Sequence, residues 1–123
     1  MIEAAMKLLL VVICSLAFTG CATRQTLYQW GGYDDLLYQA YKSPDRTETM
    51  RVGLETHVAA LEKAHQKVPP GIYAEIGTIY LEKGDRGAAV SYYKKERETW
   101  AESKTLMDSM IKALESQSAG ATK

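Results

Sequence analysis

Few side chains in this sequence are of types that do chemistry, and their spacing argues against most of the chemistry those types perform. His57 and His65 lie eight residues apart in a stretch patterned as one helix. That separates them by two turns, about 12 Å along the axis, too far to share a metal ion. The run from His57 to Leu61 lacks the second histidine of a zinc-binding H-E-x-x-H helix. Asp34-Asp35 could pass for paired carboxylates, but neighbours on a helix point about 100° apart, which suits a helix start better. Lys94-Lys95-Glu96-Arg97-Glu98 reads as a solvated face with i,i+4 pairs such as Lys94–Glu98. Gly84-Asp85-Arg86-Gly87 is a helix–helix turn rather than a phosphate cradle. No nucleophile stands in a pattern with a base. The expectation is a protein that is not an enzyme and needs no metal, cofactor or small-molecule substrate.

Cys21 is the exception. Lys7, the uncharged apolar run Leu8–Phe18 and the small pair Thr19-Gly20 precede it. This charge–apolar–small order is that of a secretory signal, and the run is short of the roughly 20 residues a membrane span needs. A buried helix end with an incidental cysteine is the bland alternative. The stretch Ala17-Phe18-Thr19-Gly20-Cys21 resembles the lipobox of bacterial lipoproteins, with Phe18 where leucine is commonest. The resemblance implies a diacylglyceryl group on the Cys21 sulfur, cleavage before Cys21 and acylation of the new amine. Ala22, rather than aspartate, follows the cysteine. By the sorting rule of enteric Gram-negative bacteria this implies the periplasmic face of the outer membrane. Glu3 is out of place in such a leader, and Met6 offers a second start.

Taking residues 1–20 as signal peptide leaves 103 residues, one modest domain with 14 acids and 14 bases. That balance argues against a nucleic-acid partner and against a polybasic membrane patch. Cys14 and Cys21 are the two cysteines, so the mature chain keeps no thiol for a disulfide or a zinc site. Its aromatic content is eight tyrosines and two tryptophans.

The elements follow in order. Residues 21–29 form a short lipidated tether, and 30–115 a helical domain. Tyr28–Tyr41 is the densest aromatic stretch. Gly31-Gly32 breaks it, and Tyr33, Leu36, Leu37, Ala40 and Tyr41 share a helical face with Tyr38 off it. Two readings stand: aromatics packed on the domain, or an aromatic surface that grips a partner. A helix from Thr47 to Gln66, capped by Thr47 or Asp45, carries Met50, Leu54, Val58, Leu61 and Ala64/His65 on its stripe, with Gly53 permitting a close crossing. Val68-Pro69-Pro70-Gly71 restarts the chain. Ser103 is expected to cap a last helix over 103–114, with Leu106, Met107, Met110, Ile111 and Leu114 inward. Residues 116–123 are expected to be disordered.

Between these flanks, Tyr73, Ile76-Gly77, Tyr80, Gly84, Ala88-Ala89 and Tyr93 outline two helices with a tight Lys83-Gly84-Asp85 turn. Over 70–100 this resembles a single tetratricopeptide repeat, departing late at Glu96 and Ala101. One repeat cannot bury its own faces, so the fold expected is all-α, a short stack of about five helices around that hairpin.

The whole order is similar to a family of small bacterial lipoproteins of unknown function with a Y-x-W-G-x-Y segment. The resemblance rests on Tyr28, Trp30, Gly31, Tyr33, Leu37, Tyr38 and Tyr41, then Val68-Pro69-Pro70-Gly71, Gly77, Tyr80, Gly84-Asp85 and Ala88. Members are often encoded beside a lipoprotein similar to the curli secretion channel, which implies a shared envelope assembly. The function expected is a lipid-anchored periplasmic adaptor docking on an envelope protein, with Tyr28, Trp30, Tyr33, Tyr38, Tyr41, Tyr73, Tyr80 and Tyr92 as candidate contacts. The alternative is a peptidoglycan-binding lipoprotein whose aromatic faces stack on sugars.

Overall fold

The computed structural model describes residues 1–4, 6 and 27–120, with side chains through 117. Residues 5 and 7–26, which hold most of the expected signal peptide, Cys21 and most of the expected tether, lie outside the described residues. Those described fold as an all-α stack without a strand. Five helices carry it: α1 Tyr33–Lys42, α2 Thr47–Lys63, α3 Ile72–Glu82, α4 Arg86–Thr99 and α5 Lys104–Gly120. Short 3-10 turns at Pro44–Arg46 and Ala101–Ser103 lead into α2 and α5. No helix among the described residues is long and apolar enough to cross a membrane.

The α3–α4 hairpin is the centre. A Cβ added at Gly77 would sit 2.8 Å from the Tyr93 ring and 3.2 Å from the Ala89 carbonyl, so glycine is what lets the two helices meet. On one side the α2 stripe Met50, Leu54, Val58 and Leu61 packs with Val68, Ile72, Tyr73, Ile76 and Ile79. On the other, Ala89 and Tyr93 pack with Met107, Ile111 and Leu114 of α5. α1 lies on α2, where Leu36 fills the space left by Gly53, 3.0 Å from where a Cβ would be.

Two helix ends close in the same way with different residues. After α3, the Asp85 N–H donates to the Tyr80 carbonyl and Gly84 takes φ +83°. After α2, the Gln66 N–H donates to the Leu61 carbonyl, but His65 occupies the left-handed position with φ +54°. Glycine has no Cβ to resist this conformation, whereas histidine does. The turn ends α2 at Lys63 instead of Gln66 and leaves Ala64 and His65 exposed, off the stripe the sequence assigns them.

Several local expectations change. α1 starts after Gly32 without a side-chain cap, and α2 likewise, since the Thr47 hydroxyl donates to the Pro44 carbonyl. Ser103 stands immediately before α5, and its hydroxyl donates to Glu96. Lys94 pairs with Glu115 across to α5, not with Glu98. Leu106 is exposed, off the α5 stripe, and α5 continues to Gly120, so residues 116–120 of the expected disordered tail are helical.

We expect His65→Gly to raise stability by about 1 kcal/mol and Gly77→Ala to lower it by about 1–3 kcal/mol, as overpacking does. Urea unfolding followed by circular dichroism reads both.

Candidate functional site

The candidate aromatics separate into three groups. Tyr28 and Trp30 belong to the strap that precedes α1. Tyr28 meets Trp100 edge-on with centroids 5.4 Å apart, and Lys67 lies over the other partner of that contact, 3.5 Å from the Trp100 centroid. The Trp100 indole N–H donates to the Val68 carbonyl at 3.2 Å. The Gln29 carbonyl accepts from His57 Nε2 at 2.6 Å, which assigns His57 the Nε2–H tautomer. A side chain at Gly31 would run into that same imidazole ring. His57 therefore fastens the strap to α2.

Tyr73, Tyr80 and Tyr92 form the second group, between α2 and the hairpin. Tyr80 and Tyr92 stack at 5.6 Å, and both hydroxyls donate to Glu55 Oε1, at 2.8 and 2.9 Å. Arg51 bridges Glu48 and Glu55 and donates to the Tyr80 oxygen. Lys83 reaches Glu48 from the end of the hairpin. The Tyr73 hydroxyl donates to Glu62, which also pairs with Lys95. Tyr73 is only 5 % exposed, so it belongs to the core and not to an open face.

The electrostatics match a closed network. Burial and then the Glu62 bond push the Tyr73 phenol up; burial and then the Glu55 bond do so for Tyr92. For Tyr80 the bond to Glu55 leads. Bonds from Arg51 and then Lys83 hold the Glu48 carboxyl down at about 2, and the Tyr73 bond followed by Lys95 lowers Glu62. The Tyr73, Tyr80 and Tyr92 hydroxyl protons are thus each committed to a carboxylate.

The third group is on α1. Tyr33, Leu36 and Ala40 pack inward on the core. Leu37, Tyr38 and Tyr41 are 41, 60 and 87 % exposed. The sequence places Leu37 and Tyr41 on the inward stripe; the helix is turned so that only Tyr33, Leu36 and Ala40 face α2. Trp30, 37 % exposed, lies beside Tyr33, with centroids 6.1 Å apart. Asp34, Leu37, Tyr38 and Tyr41 follow at i, i+3, i+4 and i+7, a second stripe left exposed among the described residues. The pattern was legible in the spacing; what hid it was that two apolar stripes overlap on one short helix.

Among the described residues no group of three or more potential metal ligands occurs. An open hollow of about 330 Å³ beside Leu27, Tyr28, Leu61 and Gln66 holds one charged group, Lys67.

Glu75, half-buried on α3, has its carboxyl pushed up by burial first and then by Glu82. A raised carboxyl pKa means the folded chain binds the proton more tightly, so this contribution is full at low pH and lost as pH climbs through the folded value. We expect Glu75→Gln to raise the urea midpoint at pH 7 and to lose that gain as the solution falls below the usual carboxylate range. Tyr92→Phe should cost about 1 kcal/mol by removing one hydroxyl bond to Glu55, measured in the same way.

Residues 27–110 match the family model described as Domain of unknown function (DUF4810), and the chain belongs to that family. No curated protein and no solved structure matches it.

Proposed function

We propose that this member of the family is a non-catalytic, lipid-anchored adaptor on the periplasmic face of the outer membrane. It docks on an envelope protein complex and helps hold together a channel-like lipoprotein assembly. Cys21 carries the lipid, and the tether keeps the domain within about 20–25 Å of the bilayer. We read the α3–α4 hairpin as tetratricopeptide-like. The close approach at Gly77, the buried Ala89 and Tyr93, and the Asp85 side chain accepting from the Ala88 N–H support that reading. The strap and α1 carry the Y-x-W-G-x-Y segment of the small lipoproteins this chain resembles.

One observation carries the proposal. Among the described residues the fold closes its tyrosine–carboxylate network on itself and leaves an aromatic stripe exposed on α1, the helix that begins twelve residues after Cys21 in the sequence. Such a body presents a surface and offers no reactive group. Tyrosine and tryptophan are the residues that dominate interface energetics.

The test is crosslinking in intact cells with wild type, Trp30→Ala, Tyr38→Ala and Cys21→Ser. A discrete adduct with an envelope protein is expected, reduced severalfold in the two aromatic variants while their helical signal is unchanged. Cys21→Ser should move the chain out of the membrane fraction. Absence of any specific adduct, with the chain pelleting instead on purified sacculi, would turn the reading toward the cell wall.

A further inference from the structure

The uncovered α1 stripe is complementary to itself. Its apolar centre is Leu37-Tyr38, and Asp34 and Tyr41 lie symmetrically about that point, at 34 and 41. The flank beside it carries Asp35 near the start of the helix and Lys42 at its end. Among the described residues neither aspartate has an ion pair, and Lys42 has none either: its ammonium rests over the Tyr38 ring at 5.2 Å. The Tyr38 and Tyr41 hydroxyls likewise have no hydrogen-bond partner there.

We propose that a second copy of this chain occupies the stripe, with the two α1 helices antiparallel across a two-fold axis. The inference rests on reading the stripe as a docking face. In that arrangement Leu37 meets Tyr38 of the other copy, and the Tyr41 hydroxyl donates to the opposite Asp34. Asp35 pairs with the opposite Lys42 on the flank, twice, as two-fold symmetry requires. A bilayer surface fits less well, since Asp34 and Asp35 would be pressed against phosphate headgroups. A ten-residue helix pair is smaller than the roughly 800 Å² per partner of a standard interface. Anchoring both copies in one leaflet supplies the local concentration that such a small contact needs. A two-fold axis along the membrane normal sends both tethers to the same leaflet. The second copy then fills the stripe and the envelope complex meets the symmetric pair as a unit, so that Tyr38→Ala weakens the envelope adduct by breaking the pair.

The experiment is a charge swap in the membrane-anchored full chain, reading the covalent dimer formed by a short crosslinker in cells. Asp35→Lys and Lys42→Asp, each alone, set like charges opposite one another and should reduce the dimer about tenfold. Asp35→Lys/Lys42→Asp together should restore it, as should co-expression of the two single variants. A fold defect would not be rescued by either combination. Tyr38→Asp should abolish the dimer throughout. A wild-type chain that stays monomeric overturns the proposal, and so does a dimer indifferent to the charge swap. A monomeric wild type that still crosslinks to an envelope protein would leave the adaptor standing without the pair. A charge-dependent dimer with no envelope adduct would do the reverse.

Discussion

The fold depends on how closely α3 and α4 approach at Gly77. The Tyr93 ring lies where any side chain at position 77 would have to go, and it is fully buried there. Its hydroxyl still finds a partner, sharing a 3.1 Å hydrogen bond with Thr78. A large ring against a bare backbone gives dense packing with no polar group stranded, which is what a small core needs when few layers are available. Once the hairpin is set at that separation it has two apolar sides, and α2 and α5 have one place each to go. α1 is the remainder: it finds a notch at Gly53 and no further core to enter.

Glu96 holds the opposite end of the hairpin. It is 0 % exposed, and one carboxylate oxygen accepts from the Gly71 N–H at 2.8 Å and the Ser103 hydroxyl at 2.9 Å. The other oxygen has no partner among the described residues. Burying a carboxylate is costly, and two donors offset only part of that cost. The return is geometric. A single side chain fixes the loop before α3, the end of α4 and the turn into α5 relative to one another. A small residue at this position could not reach any of them.

The helices were legible because their apolar stripes repeat at helical spacing over ten or more residues, and Gly77, Ala89 and Tyr93 declared the hairpin through their sizes. Contacts between elements were not legible. Nothing in the order of residues says that Glu96 reaches Gly71 and Ser103, or that His57 holds the Gln29 carbonyl, because those pairs depend on how whole helices are placed. The α2 end is not legible, since a left-handed turn is normally announced by glycine and here histidine makes it. On α1 the choice between burial and display was left open by the sequence, and it was settled residue by residue: Tyr33, Leu36 and Ala40 inward, Leu37, Tyr38 and Tyr41 outward.

The strap ahead of α1 has a mechanical consequence. A pull arriving along the chain at residue 27 does not act first on α1, the least buried helix. It meets Tyr28 against Trp100 and the hydrogen bond between His57 and the Gln29 carbonyl. Trp100 is in turn tied to Val68 and covered by Lys67, and His57 stands on α2, so the load divides between α2 and the residues gathered around Trp100. These contacts bear the tension before α1 can be peeled away. A domain dragged about by its N-terminus would therefore keep α1 seated, with Leu37, Tyr38 and Tyr41 still turned outward.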